Sequence, residues 1–179
     1  LAAEALDGDY GMRAQWRLDF DADGWTVERD AGYQTAALVP FVDFARALEA
    51  AGVPAFDAAF KRLFDAPVRR SRNLVAKPAG LYDEAWQRYA DPLHARSLAA
   101  GGGKDLPPVP GGFPNSTLPQ AGFTVLRAGV SDADLRTVDI NWGEPRHRGG
   151  RVLLNPVATW RGHHLNQEVL RIAYGYSQS

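Results

Sequence analysis

Residues 101–120, GGGKDLPPVPGGFPNSTLPQ, divide the sequence into two parts of different character. Five glycines and five prolines disfavour any regular helix or strand in this stretch, which is typical of a linker or long loop. We place this connector at residues 100–119, after a helical part at 1–99 and before a β part at 120–179. The predicted fold class is therefore α+β, with a group of helices followed by an antiparallel sheet.

Apolar spacing predicts the helices of the first part. In residues 33–51 an amphipathic stripe with spacings of three and four is formed by Tyr33, Ala37, Phe41, Phe44, Ala45 and Leu48. Pro40 inside this stripe predicts a kink or a join. FDAAFKRLFDAP (56–67) predicts a second helix that ends at Pro67, and GLYDEAWQRYADP (80–92) predicts a third with Trp86 on its apolar side. GMRAQWRLDF (11–20) predicts a further helix that leads into the turn DADG (21–24).

The second part changes to the alternation of strands. AGFTVLRAG (121–129) places Phe123, Val125 and Arg127 on one side and Thr124 and Leu126 on the other. LRTVDINWG (135–143) alternates in the same way. RVLLNP (151–156) and EVLRIAYGY (168–176) are two further short strand candidates.

Composition limits the class of function. Twenty basic and twenty-one acidic residues give a net charge of −1, which argues against a general nucleic-acid or membrane-surface binder. No apolar run is long enough to span a membrane, so no membrane insertion is expected. The absence of cysteine excludes disulfides, thiol nucleophiles and thiolate metal sites. Phosphate-binding loops, dinucleotide fingerprints, G-x-S-x-G and H-E-x-x-H motifs are also missing from the sequence.

Two segments carry a family resemblance. DADGWTVERDAGYQTAALVPFVDFARALEAAGV (21–53) is similar to the heparinase II/III-like polysaccharide lyases, which include alginate and oligoalginate lyases. The matching positions, an acidic-Gly turn followed by an aromatic residue, a Glu and a helix-opening Tyr, are Asp23, Gly24, Trp25, Glu28 and Tyr33. FPNSTLPQAGFTVLRAG (113–129) resembles the first strand of the family's β part, and the likeness covers most of residues 12–143. The resemblance implies an α/α-toroid-like helical part followed by an antiparallel β-sandwich-like part.

The resemblance also implies a reaction and a role for Tyr33. The family cleaves uronate-containing glycans by β-elimination, and Tyr33 matches the tyrosine that serves as its acid or base. A tyrosine can do this when nearby cations lower its pKa from about 10, and Arg29 is four residues away in the sequence. Another interpretation from the residues alone makes Tyr33 the first core residue of its helix, with its hydroxyl at the rim.

The β part supplies further candidates in its histidines and arginines. His147, flanked by Arg146 and Arg148, lies near where the family keeps its second catalytic histidine. This arginine-rich turn could clamp a carboxylate or, alternatively, form a solvated hairpin tip. His164 and Asn166 are a loose echo of the family's His-Asn pair, and His164 is a second candidate for assisting Tyr33.

The other aromatic and histidine candidates have simpler interpretations. Trp25 beside Tyr33 is the best sugar-stacking platform, whereas the other tryptophans are expected in the core. His163 and His164 are adjacent and would point to opposite faces of a strand, so no metal site is expected. His94 is expected at a helix end or on a surface loop. No cofactor is expected.

The departures from the family pattern lead to a second hypothesis. The family's neutralising Asn or His would precede residue 1, and its His-rich strand is reduced here to NWGEPRHRGGRVLLNP (141–156). The alternative function is therefore a non-catalytic glycan-binding or structural remnant of the same fold. Uncovered helix faces of a partial toroid would also allow a homo-oligomer. The expected partner is an acidic polysaccharide or oligosaccharide in either case.

The start of the sequence bears on its location. LAAEALDGDYGMRAQW (1–16) has neither an initiator Met nor the profile of a signal peptide, which predicts a chain that is processed or cut from a longer one. The resemblance implies a periplasmic or secreted protein, although no signal peptide is found in this sequence.

Overall fold

The computed structural model describes residues 1–27, 31–141, 157–160 and 163–164. The fold class is α+β, as predicted, with the helices preceding an antiparallel sheet. The helices are α1 (Ala2–Asp7), α2 (Met12–Asp19), α3 (Ala31–Ala50), α4 (Ala58–Arg70), α5 (Ala79–Tyr89) and α6 (Pro92–Gly101). The strands are β1 (Ser116–Leu118), β2 (Phe123–Ala128), β3 (Arg136–Asn141), β4 (Val157–Trp160) and β5 (His163–His164). In the described ranges each strand pairs antiparallel with the next, in the order β1-β2-β3-β4-β5.

Helix α3 is continuous, and its buried face differs from the predicted stripe. The helix runs through Pro40, which is exposed, so the prediction of a join between two helices is wrong. The buried positions of the helix are Gln34, Leu38, Val42, Ala45 and Leu48. Tyr33 and Phe44 of the predicted stripe are exposed. The core-facing stripe therefore begins one residue later than predicted, because a buried glutamine takes the position expected for the tyrosine.

Helix α4 begins and ends differently from the prediction. The Asp57 carboxylate accepts a hydrogen bond from the backbone N–H of Phe60 at 2.8 Å and caps the first turn. Pro67 lies inside the helix, which continues to Arg70, so the prediction that Pro67 ends it is wrong. The predicted apolar face is confirmed, since Phe60, Leu63 and Phe64 are all buried.

Helices α5 and α6 pack closely against each other. Trp86 is partly exposed, whereas Tyr82 is buried and its hydroxyl donates to the carbonyl of Phe64 at 3.0 Å. The prediction that Trp86 lies on the apolar side is therefore wrong. His94 lies in the first turn of α6, which confirms the expected position at a helix end, and its side chain is fully buried.

The helical core is a cluster of buried apolar side chains centred on α4. The Phe60 ring makes edge or tilted contacts with Trp16, Phe56 and Phe64, at centroid distances of 5.5, 4.9 and 5.8 Å. Such aromatic pairs add about 0.5–1.5 kcal/mol each to the burial of their surfaces. Aromatic packing from α2, α4 and the segment before α4 thus dominates this core.

The sheet contacts the helices through its first hairpin. Strand β1 begins at Ser116, inside the predicted connector, so the segment between α6 and β1 is residues 102–115. On β2 the predicted alternation is confirmed in part: Phe123, Val125 and Arg127 are buried and Leu126 is exposed, but Thr124, predicted on the side of Leu126, is buried as well. The predicted strand in 135–143 is confirmed as β3 over its described residues. The strand candidates at 151–156 and 168–176 lie outside the described residues.

A second, smaller apolar cluster joins the two parts of the chain. It consists of Trp25, Ala66, Leu118, Ala121, Phe123 and Val125. We use the name junction for this cluster together with Arg127 of β2 and the backbone carbonyls that Arg127 binds at the end of α4. The Asp23 carboxylate accepts hydrogen bonds from the backbone N–H groups of Gln120 and Ala121, at 2.6 and 3.2 Å. The turn before α3 is therefore bound directly to the turn between β1 and β2. None of the described helices combines the length and apolarity that crossing a membrane requires.

Candidate functional site

Tyr33 lies in the first turn of α3 with 61% of its surface exposed. Its neighbour Gln34 is 1% exposed and takes the core position. The interpretation of Tyr33 as a core residue is therefore wrong. The side chain is accessible to a ligand in solution, and its role as acid or base stays a prediction.

Gln34 fixes the turn in front of the tyrosine. Its side-chain oxygen accepts a hydrogen bond from the backbone N–H of Thr26 at 2.6 Å. Its side-chain nitrogen donates to the carbonyls of Gly24 and Leu63, at 3.1 and 3.2 Å. One buried amide thus ties α3 to both the turn and α4, which positions the start of α3. The sequence analysis missed this residue, although its spacing of four before Leu38 places it on the buried stripe.

The turn itself is held by two local features. One oxygen of the Asp21 carboxylate accepts hydrogen bonds from the backbone N–H groups of Asp23 and Trp25, at 2.9 and 3.1 Å. Gly24 has a φ of +83°, and a Cβ at this position would overlap the carbonyl of Arg62 on α4. Only glycine allows this left-handed turn to approach the helix so closely.

Trp25 is buried in the junction, in contrast to the predicted stacking platform. The side chain is 2% exposed, and the guanidinium of Arg70 lies 5.1 Å from the centroid of its ring. The same guanidinium lies 4.3 Å from the centroid of the Phe123 ring. Because its faces are covered by the protein itself, Trp25 offers no open surface on which a sugar could stack.

A cleft of about 350 Å³ lies beside the start of α3, and we call it the α3 cleft. It is lined by Trp25, Ala31, Gly32, Thr35, Pro67, Arg70, Ser71, Val75, Ala76 and Lys77. Arg70 and Lys77 give it two cationic groups, and among its lining residues none is acidic. Its volume is within the range of about 300–1,000 Å³ that is common for small-ligand sites. Tyr33 follows the lining residue Gly32 in the sequence, and Ala31 and Thr35 are two residues away, but Tyr33 does not line the cleft itself.

The remaining predicted site residues fall mostly outside the described part of the chain. Arg29, Arg146, His147, Arg148 and Asn166 lie outside the described residues. His164 belongs to β5, where its backbone pairs with Thr159 of β4. Among the predicted site residues that the structure describes, Trp25 lies near the start of α3, the helix that carries Tyr33. Trp25, Ala31 and Gly32 line the same cleft.

Arg127 is a buried cation that joins β2 to the end of α4. Its guanidinium donates to the carbonyls of Arg69 and Arg72 at 2.6 and 2.8 Å, and to that of Ser71. It also donates to the carbonyl of Pro114 at 2.7 Å. A cation at the carboxyl end of a helix is favoured by the helix dipole and satisfies its last carbonyls.

The charge of Arg127 is retained at neutral pH. Burial lowers the pKa of its guanidinium to about 10, while the nearby Asp139 carboxylate favours the charged form. The signal for a structural role was an arginine in the inward register of β2 beside Phe123 and Val125. The sequence analysis placed it on that side of the strand but did not give it a function.

Asp65, Asp91 and His94 form a second polar group between α4 and α6. Their potential ligand atoms lie within 4.8 Å of one another, close enough to hold a metal ion. Lys61, however, donates to the carboxylates of Asp65 and Asp91 at 2.8 and 2.7 Å. The Nε2 atom of His94 lies 2.9 Å from the Asp65 carboxylate. The ammonium group therefore supplies the positive charge between the two carboxylates, and we interpret the group as a structural ion-pair network.

Comparison with known proteins returns no similarity. Neither the protein-family models nor the curated proteins and solved structures yield a match to the chain.

Proposed function

We propose that this chain belongs to a polysaccharide lyase that cleaves an acidic, uronate-containing glycan by β-elimination. The observation that carries the proposal is the exposed Tyr33 at the start of α3, next to residues that line a cationic cleft. The order of a helical part before an antiparallel sheet agrees with this proposal. In the proposed fold the helices are part of an α/α-toroid, and the strands are part of a β-sandwich.

The chemistry explains why these residue types are needed. β-Elimination removes the C5 proton of the uronate and expels the 4-O-linked sugar, so it requires a base, an acid and a cation that neutralises the carboxylate. In this proposal Tyr33 exchanges the proton, assisted by His147 or His164. Arg70 and Lys77 in the α3 cleft, together with Arg29, Arg146 and Arg148, bind substrate carboxylates. Asn166 contributes a further polar contact.

A second candidate function is glycan binding without turnover. It is favoured by the position of Tyr33 outside the lining of the α3 cleft. A cleft that binds carboxylates but lacks a proton-transfer group inside it would hold a uronate chain without cleaving it. This candidate keeps the proposed fold and ligand class and removes only the reaction.

The test of catalysis is the ultraviolet absorbance of the unsaturated uronate product. Alginate, heparan-type and other uronate polymers are incubated with the chain, with the variant Tyr33→Phe and with the control Tyr10→Phe, which alters a tyrosine that is 91% exposed on another segment. We expect Tyr33→Phe to lower the rate by a factor of about 10² to 10⁴ and Tyr10→Phe to leave it unchanged. Equal rates in the wild type and Tyr33→Phe would contradict the role of Tyr33.

Calorimetry with uronate oligomers separates the two candidates. Heat of binding together with product absorbance supports the lyase. Saturable binding with no product from any polymer supports the non-catalytic function. Absence of both would exclude the two functions for this chain.

A further inference from the structure

A larger cleft lies beside the DADG turn, between α2 and α4. We call it the α2–α4 cleft, and its volume is about 580 Å³. It is lined by Arg13, Trp16, Arg17, Phe20, Asp21, Ala22, Gly24, Val27, Asp57, Ala59, Arg62, Leu63 and Gln120. The α3 cleft is lined by Trp25, which directly follows this turn, so neighbouring residues of the chain, Gly24 and Trp25, line the two clefts.

Three arginines give the α2–α4 cleft its chemical character. Arg13 and Arg17 are four residues apart on α2 and therefore lie on the same face of that helix. Arg62 approaches from α4, where its carbonyl packs against Gly24 of the turn. The position of the Arg62 backbone relative to the turn is thus fixed by the close approach of the glycine.

The carboxylates of the cleft are already engaged. Asp57 caps α4 and pairs with Arg13 at 2.5 Å, and Arg13 also pairs with Asp7 at 2.6 Å. The Asp21 carboxylate accepts two backbone hydrogen bonds within its own turn. Among the residues that the structure describes, neither Arg17 nor Arg62 has a hydrogen-bond or ion-pair partner. Two guanidinium groups in one cleft are therefore available to an anion.

The arginines are the groups of the cleft that a ligand can bind. Trp16 and Phe20 also line it, but they are only 9% and 4% exposed, so their rings close the base of the cleft and offer no open face to a sugar. Guanidinium groups bind carboxylates through two parallel hydrogen bonds, which gives geometric selectivity as well as affinity.

We propose that Arg17 and Arg62 form a carboxylate-binding subsite for an acidic oligosaccharide in the α2–α4 cleft. The ligand class rests on the proposed function, because a uronate chain repeats a carboxylate along its length and both clefts are lined by cationic groups. Arg13 also lines the cleft, but its guanidinium is already paired with Asp7 and Asp57, so it is not part of the subsite. The subsite binds substrate and takes no part in proton transfer.

The test measures binding of uronate oligomers by calorimetry to the full chain. We compare the wild type with Arg17→Gln/Arg62→Gln and with the charge-matched control Arg69→Gln/Lys104→Gln, whose exposed cations lie outside both clefts. Loss of charged hydrogen bonds predicts an affinity about tenfold lower for the first variant. The control is expected to stay within about twofold of the wild type, since Lys104 is exposed, Arg69 makes only a long ion pair with Asp65 at 3.8 Å, and surface charges of this kind contribute little. Thermal unfolding of each variant verifies that its fold is retained.

The outcomes separate this subsite from the proposed reaction. Unchanged affinity in Arg17→Gln/Arg62→Gln, equal losses in both double variants, or tighter binding of a glutamate oligomer than of a uronate oligomer would overturn the subsite. If binding depends on Arg17 and Arg62 while no polymer is cleaved, the subsite stands and the lyase function fails. If polymers are cleaved and the first variant has wild-type affinity and KM, the lyase function stands and the subsite fails.

Discussion

The two ends of α4 lie in different surroundings. Near its start, Phe60 is fully buried among aromatic rings of the helical core. Near its end, the backbone carbonyls of Arg69 and Ser71 accept hydrogen bonds from the guanidinium of Arg127 on β2. One end of the helix is stabilised by apolar burial, and the other by a buried cation that binds backbone oxygens.

The difference indicates how each region responds to substitution. Apolar burial has no direction, so related apolar side chains can replace one another at a modest cost. Hydrogen bonds from one guanidinium to several carbonyls depend on the position of each donor, and removing them leaves buried acceptors unpaired. The stability of the helical core therefore depends mainly on side-chain volume, and that of the junction depends on specific hydrogen-bond donors.

The largest expected effect is in the helical core. Phe60→Ala removes a ring that contacts three others, and we expect it to lower the free energy of unfolding by about 3–5 kcal/mol, measured by chemical denaturation. Phe60→Leu should lose less, since it keeps much of the volume. Leu18→Ala is the matched control, because Leu18 is 69% exposed and should change stability by less than about 0.5 kcal/mol. Similar values for Phe60→Ala and Leu18→Ala would contradict the importance of this core.

A smaller and more local effect is expected at the junction. Arg127→Met keeps a long side chain but removes every donor to the end of α4, and we expect a loss of about 3 kcal/mol. Hydrogen exchange measured by mass spectrometry should increase more in β1 and β2 than in α5 and α6. Arg127→Lys retains the charge with fewer, differently arranged donors, so its loss should be intermediate. If hydrogen exchange in Arg127→Met increased equally over the whole chain, the junction would not be a region that opens separately from the helices.

The helical core and the junction also show which parts of the fold can be predicted from the sequence. Periodicity identified α2, α3, α4 and α5 and the alternation on β2, because these depend on a repeating apolar pattern. It did not identify the short helix α1 or α6. It predicted that the buried face of α3 begins at Tyr33, whereas the structure buries Gln34. A hydrophobic pattern does not predict burial of a glutamine, and here the side-chain amide is buried because it forms hydrogen bonds with backbone groups. The sequence pattern also ended α4 at Pro67, where the tertiary structure retains the helix for one more turn.

The candidate site was predictable only in part, for a similar reason. The turn and the helix start were found because Asp21, Gly24 and Tyr33 follow one another closely in the sequence. The α2–α4 cleft was not found, because Arg17 and Arg62 come together only when α2 and α4 pack across the turn. Long-range contacts between charged residues leave no periodic signal.

The smallest expected effect concerns the polar group within the helical part, which differs from the surrounding core. Burial by itself would raise the pKa of Asp65, but hydrogen bonds from His94 and Lys61 outweigh it and hold that pKa below its usual value. A carboxylate with a lowered pKa stabilises the fold above its unfolded pKa of about 3.9, and that contribution is lost as the pH falls through the folded pKa. We therefore expect Asp65→Asn to cost about 1–2 kcal/mol at neutral pH. The difference from the wild type should shrink as the solution is acidified below about pH 4.

Denaturant unfolding at a series of pH values measures this dependence, with Asp9→Asn as the matched control because Asp9 is an exposed acid outside the network. The control should follow the wild-type curve, since an exposed carboxylate without a bound cation contributes little to stability. If the free energy of unfolding of Asp65→Asn differed from that of the wild type by the same amount down to low pH, the loss of stability would come from packing and not from the charge. In that case the group between α4 and α6 would stabilise the fold by packing, as the aromatic core around it does. Stabilisation by a buried charge would then be found only at the junction among these regions.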